Sequence, residues 1–100
     1  MNSLEKTQSV TLDSVVVATS EQVSTQLDGE VVILGFQSGS YYGLDQVGVF
    51  VWEMLQEPQR VSALCHAILE EYDVTLEDCQ RDLLALLAEL VAKQLILVES

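Results

Sequence analysis

The chain has 100 residues, with 49% hydrophobic residues and 16 Asp+Glu against 4 Lys+Arg, a formal net charge of -12. That length suits one domain with one modest core, and the apolar content is that of a folding chain, not a disordered one. No apolar stretch approaches the roughly 20 residues of a transmembrane helix, and the four scattered cations Lys6, Arg60, Arg81 and Lys93 argue against phosphate-driven nucleic-acid binding and against anionic membranes.

The N-terminus, MNSLEKTQSVTLDS, lacks a basic region followed by an apolar block, so a cytoplasmic protein is expected. Residues 1–20 read as a flexible lead-in, within which Ser14 to Thr19, SVVVAT, can form a short strand. Residues 21–100 read as the folded domain.

Val23 to Leu27 alternates apolar and polar, the period of a half-buried strand. Asp28-Gly29 is a two-residue hairpin turn, and Glu30 to Phe36, EVVILGF, is the returning strand. With that turn, Leu27 faces Glu30, Thr25 faces Val32 and Val23 faces Leu34. The face carrying Val23, Val32, Leu34 and Phe36 is the expected core face, leaving Val31 and Ile33 half exposed on the other. Gln37-Ser38-Gly39 makes the next turn, and Ser40 to Leu44, SYYGL, is a third strand at a sheet edge.

After Leu44 the period changes to 3.6. Asp45 is the expected N-cap of a helix with Val47, Phe50, Val51, Met54 and Leu55 on one side. Trp52 falls off that stripe, which leaves it either to the core or to a partner. Beyond Pro58, Val61, Leu64, Cys65, Ile68 and Leu69 mark a second helix. Thr75 and Asp78 resemble a capping box for a third, from Leu76 to about Lys93. Its stripe, which includes Cys79, Leu83, Leu84, Leu86, Leu87, Leu90 and Val91, is wider than one buried face needs. The apolar tail Leu95 to Val98 is expected to pack back as a strand. The whole is an α+β domain, a three-stranded antiparallel sheet followed by three helices.

Chemistry-bearing patterns are few. His66 adjoins Cys65, but helix neighbours point about 100° apart, and no further ligands stand at metal-site spacing. The acidic stretch Glu70-Glu71-Tyr72-Asp73 lacks the alternating ligands and central glycine of an EF-hand and reads as a solvated helix end. Glu77 and Asp78 suit a helix N-terminus. The two cysteines lie on apolar helix faces in a chain without a secretory signal, so they are expected reduced and in the core. The expectation is therefore no catalytic residue, no metal and no cofactor.

The stretch Gly39-Ser40-Tyr41-Tyr42-Gly43-Leu44-Asp45, with Val47-Gly48 and Val51-Trp52-Glu53-Met54-Leu55, resembles the pyrroloquinoline quinone biosynthesis protein D (PqqD) family. Within it, the chain looks most similar to stand-alone leader-binding proteins of split lasso-peptide systems. The similarity continues through Val61-Ser62-Ala63-Leu64, Glu71-Tyr72-Asp73-Val74 and Arg81-Asp82-Leu83-Leu84, and covers about residues 15–98. The resemblance implies a winged helix-turn-helix-like fold that no longer binds DNA. It implies that a precursor's leader peptide adds as a strand to the third strand, above a groove bounded by the third helix. It also implies handover to a leader peptidase and a macrocycle-forming synthetase. Mapped onto this sequence, Ser40, Tyr41, Tyr42, Gly43 and Leu44 offer the edge, with Leu83, Leu86, Leu87 and Leu90 in the groove or in the core beneath it. Asp82 is placed to receive a basic leader side chain. An exposed edge strand is a known site of strand addition, and an acidic surface, besides aiding solubility, attracts a basic peptide. The rival readings are a winged-helix DNA-binding regulator, which the charge disfavours, and a dimeric scaffold using the third helix.

Overall fold

The computed structural model describes residues 10–28, 30–36 and 38–99. Strand β1 (Val15–Ala18) is followed by the meander β2 (Gln22–Leu27), β3 (Glu30–Gly35) and β4 (Tyr41–Leu44). Helix α1 (Gln46–Met54), the short β5 (Gln59–Arg60), α2 (Val61–Glu71), α3 (Leu76–Ala92) and β6 (Ile96–Glu99) complete the chain. The fold is α+β, an antiparallel sheet of three strands leading into three helices, with α2 and α3 joined by residues 72–75 as in a winged helix-turn-helix.

Two sheets form. In β2-β3-β4 the strands pair antiparallel in the register the Asp28-Gly29 turn predicts, Leu27 opposite Glu30, Thr25 opposite Val32 and Val23 opposite Leu34. Asp28 sits at φ 51°, the left-handed conformation such a turn requires; Gly29 lies outside the described residues, as does Gln37 of the next turn. The second sheet, β5-β1-β6, joins the SVVVAT strand and the C-terminal strand to each other, Val16 opposite Val98. Backbone bonds from Ala18 N–H to the Leu55 carbonyl (2.8 Å) and from Thr19 N–H to the Leu95 carbonyl (3.0 Å) fasten β1 to the ends of two helices.

The buried face of the meander is opposite to the expected one. Ile33 is fully buried and Val31 packs against the core, whereas Val23, Leu34 and Phe36 are exposed. Apolar residues occupy every position from Val31 to Leu34, so alternation alone does not choose a face. The helices decide it. Ile33 lies beside Tyr42, and Val31 beside Leu44, on the side where α1 packs. Gly35 shares that side: a Cβ there would stand 2.9 Å from Leu95 Cδ2, so any larger residue would push the buried Leu95 side chain aside.

The helices follow their stripes. Val51, Trp52 and Leu55 of the α1 segment are buried, as are Val61, Leu64, Cys65 and Ile68 of α2 and Cys79, Leu83, Leu87 and Leu90 of α3. Trp52 therefore belongs to the core. Phe50 meets Tyr72 edge to face, ring centroids 5.6 Å apart. Asp45 caps α1, its Oδ1 accepting from Gly48 N–H at 2.8 Å. Thr75 Oγ1 accepts from Asp78 N–H at 3.2 Å, one half of a capping box. The Asp78 carboxylate turns instead to Arg81.

Helix α3 stops in a Schellman arrangement, with Leu95 N–H donating to the Leu90 carbonyl at 2.9 Å and Gln94 at φ 62°. Glycine is the residue that holds this conformation without a Cβ penalty. Gln94→Gly should therefore stabilise the fold by about 0.5–1 kcal/mol. Thermal unfolding checks this: a raised midpoint is expected, and a lowered one would mean that the Gln94 side chain contributes more than its backbone costs.

Candidate peptide-binding groove

Among the described residues strand β4 has one partner, β3, so its other side is a sheet edge. Which backbone groups face outward follows from a single bond. Gly35 N–H donates to the Ser40 carbonyl at 2.9 Å, which makes Gly35 and Ser40 a hydrogen-bonded pair. Antiparallel pairs alternate. Tyr42 opposite Ile33 and Leu44 opposite Val31 are then bonded pairs, and Tyr41 opposite Leu34 and Gly43 opposite Val32 are not. The N–H and C=O groups of Tyr41 and Gly43 thus point to the free edge.

Beside this edge, between β4 and α3, lies a groove of about 540 Å³. Tyr42, Gly43 and Leu44 form one wall, and Leu83, Leu86 and Glu89 line it from α3. Val47 and Val51 of α1, Ile68 of α2 and Cys79 of α3 contribute apolar surface, and Val74 stands at the turn before α3. Four carboxylates, Asp45, Asp78, Asp82 and Glu89, border it, and among the described residues no Lys or Arg does. Apolar lining with an acidic border suits a segment carrying apolar side chains and basic neighbours.

The residues expected from the sequence are distributed as follows. Tyr42, Gly43, Leu44, Asp82, Leu83 and Leu86 come together around the groove. Leu87 and Leu90 lie in the core, 0% and 1% exposed. Tyr41, 68% exposed, shares the outer sheet face with Leu34 and Val23, and Ser40 stands at the turn before β4. Sequence reasoning did not single out Glu89, Asp45 and Val74 as site residues. They come from three separate segments, and only the packing of α3 against the meander unites them. Asp82 is not free of partners: Arg81 reaches both Asp78 (2.9 Å) and Asp82 (3.3 Å) on the surface of α3. Such exposed contacts are weak, so Asp82 remains available to a ligand.

Tyr42 spans the groove by donating its phenol hydroxyl to Glu89 Oε1. That bond, then partial burial, then the negative charge of Glu89 and Asp45 push the Tyr42 hydroxyl up to about 12 from its ordinary 10.0. A raised pKa favours the protonated form in the folded state. The Tyr42 contribution to stability is therefore complete below about pH 10 and is lost as pH rises through about 12. Tyrosinate absorbance should show one of the three tyrosines ionising late in protein still folded by circular dichroism. Glu89→Ala should return that step toward the ordinary value; an unchanged late step would mean that Glu89 is not its cause.

His66 pairs with Glu70 at 3.3 Å on the surface of α2. Among the described residues, no helix is long and apolar enough to cross a membrane, and no group of three or more His, Cys, Asp or Glu is arranged to hold a metal ion.

Comparison with known proteins places the fold. TbiB1, solved in complex with the TbiA(beta) leader peptide, is 39% identical. The match covers 80% of this chain and 93% of TbiB1, with a TM-score of 0.71. A lasso peptide synthetase B1, complexed with the leader peptide, shares the fold at 24% identity and a TM-score of 0.70, over 82% of this chain and 96% of that one. No curated protein matches. The profile of the family described as coenzyme PQQ synthesis protein D (PqqD) matches residues 30–96, two thirds of the sequence and nearly the whole span from the hairpin turn to β6, and the chain belongs to that family.

Proposed function

We infer that this protein binds the leader segment of a ribosomally made precursor, of the lasso-peptide class, by adding it as a strand to β4. The observation that carries this reading is the free edge of β4 standing beside an apolar groove with an acidic border. Main-chain bonds to Tyr41 and Gly43 supply affinity, and side chains entering between β4 and α3 supply specificity. Leu83 and Leu86 receive apolar anchors, with Leu87 and Leu90 as the packed layer that holds α3 in place. Asp82 and its neighbours attract basic flanks. The likeness to TbiB1, itself solved with a leader peptide, supports the same reading.

The role is recognition and handover, not catalysis, and its setting is the cytoplasm. The partners are the enzymes that process the bound precursor, a leader peptidase and a macrocycle-forming synthetase. The outer face of the meander suits them: Val23, Leu34 and Tyr41 stand in one cross-strand row with Phe36 beside it, all exposed. Apolar side chains gathered this way on a small protein mark an interaction surface. The recognition domain is residues 21–100, joined by β1 from the preceding stretch. A DNA-binding role is disfavoured because α3, the helix that would enter a major groove, carries Glu77, Asp78, Asp82 and Glu89 against a single cation, Arg81.

Amide chemical-shift mapping with unlabelled TbiA(beta) leader peptide tests the mode of binding. Perturbations should cluster on residues 40–44 and 83–90. A response confined to Val47–Leu55 with β4 silent would make α1 the binding face and exclude strand addition.

A further inference from the structure

The two cysteines are in contact. Cys65 of α2 and Cys79 of α3 are both buried, at 4% exposure each, and their sulfurs lie 3.2 Å apart. Cys79 Sγ also approaches the Cys65 carbonyl, at 3.7 Å. Their surroundings differ: Cys79 lines the groove, and Cys65 lies behind it. Core packing accounts for two small apolar side chains, but not for one of them being reached from a peptide groove while the other waits at sulfur-contact distance.

We propose that Cys65 and Cys79 are a reversible disulfide site at the floor of the groove, oxidised by a low-molecular-weight disulfide that enters through the groove and reacts first with Cys79. The Cys79 thiol gives up its proton to solvent, and its thiolate attacks one sulfur of the reagent. The reagent's S–S bond breaks, one thiolate leaves, and Cys79 carries a mixed disulfide. Cys65, likewise deprotonated, then attacks the Cys79 sulfur and expels the second reagent thiolate. Each leaving thiolate takes up a proton. In sum, two protein thiols and one reagent disulfide give one protein disulfide and two reagent thiols, with two electrons passing to the reagent.

The site is a slow one. Burial first, then the bond and charge of Cys65, then the charge of Asp82 hold the Cys79 thiol up at about 12, so little thiolate exists at neutral pH. The thiols are therefore stable as a reduced pair until a disulfide reagent is abundant, and a peptide lying in the groove covers the sulfur that reacts first. The bond links α2 to α3 across 14 residues, which stabilises by restricting the unfolded chain.

The test treats the full folded chain with oxidised glutathione at mildly alkaline pH and follows intact mass and peptide maps. The wild type should lose the mass of two hydrogens, yield a Cys65–Cys79 crosslinked peptide, melt higher, and revert with dithiothreitol. Cys65→Ala should stop at a glutathione adduct on Cys79, whereas Cys79→Ala should stay unmodified while folded. Two unmodified thiols in folded wild type, under conditions that crosslink the chain in denaturant, would overturn the proposal. So would a Cys79→Ala variant whose Cys65 reacts as fast as Cys79 does in Cys65→Ala. Saturating TbiA(beta) leader peptide should slow the wild-type reaction severalfold. An unchanged rate with the peptide bound, as read by fluorescence anisotropy, overturns entry through the groove. Absence of anisotropy change counts against the proposed leader binding alone, since the crosslink and the two single variants decide the disulfide without any peptide.

Discussion

Gly43→Pro should weaken leader-peptide binding by about 2–3 kcal/mol, roughly 30- to 150-fold in Kd, while leaving the meander folded. Gly43 stands opposite Val32 in a non-bonded pair of β4 and β3, so its N–H is not part of the sheet. Proline there removes a donor that only an added strand would use, and its ring obstructs that strand. Gly43→Ala is the control. Its Cβ would meet no heavy atom within 4 Å, and the donor remains, so folding and binding should both persist. Circular dichroism first establishes that the proline variant is folded. Tyr41→Pro is the second route, because Tyr41 opens β4 and its N–H also faces outward. Isothermal titration with the TbiA(beta) leader peptide then gives the affinity. Two folded proline variants that bind as the wild type does would exclude main-chain pairing at this edge.

Much of this edge was legible in the sequence because turns and periods are local signals. Asp28-Gly29 and Gln37-Ser38-Gly39 delimit the strands, and the register follows from the first turn alone. The change from period two to 3.6 after Leu44 marks the first helix. Thr75 and Asp45 sit where caps belong and act as caps. Two further things were not legible. One is the assembly of the groove: Asp45, Val74 and Glu89 meet only because α3 packs beside the meander, and no spacing in the sequence encodes that. The division of the α3 leucines is of the same kind, since Leu86 faces the groove and Leu87 the core one residue apart on an unbroken apolar surface. The other is the buried face of β3. A strand apolar at Val31, Val32, Ile33 and Leu34 has no polar side to announce where solvent lies. The available signal was Gly35, in step with Val31 and Ile33, at the close approach to Leu95. Phe36, the largest residue in the segment, pointed the other way, and it is 64% exposed. Its apolar surface is therefore not part of the core.

Adjacent residues of β3 measure that inversion directly. Ile33→Ala should destabilise the protein by about 2–5 kcal/mol, because Ile33 is fully buried and its removal leaves a cavity beneath α1. Leu34→Ala should cost only about 0.5 kcal/mol, since Leu34 is 43% exposed. The two changes delete the same number of carbons from the same strand, and the greater strand propensity lost with β-branched Ile33 is small beside the cavity it leaves. In a domain of this size each kcal/mol moves Tm by roughly 4–8 °C, which separates the variants by at least about 6 °C even at the low end of both ranges. The assignment of the sheet faces predicts the sign of the difference. If Leu34→Ala proves the more destabilising, the meander packs on its other face, and the row formed by Val23, Leu34 and Tyr41 belongs to the core. If Ile33→Ala is the damaging change, Leu34→Ala is a folded variant suited to testing the outer face. It should retain leader-peptide affinity, because β4 and the groove are untouched. If the outer face docks the proposed leader peptidase, it should instead lower the affinity of the leader-loaded protein for that enzyme, because it removes apolar area from the middle of the exposed row. Pull-down or titration with the peptidase measures that loss, and a variant that keeps full peptidase affinity would remove Leu34 from the docking surface.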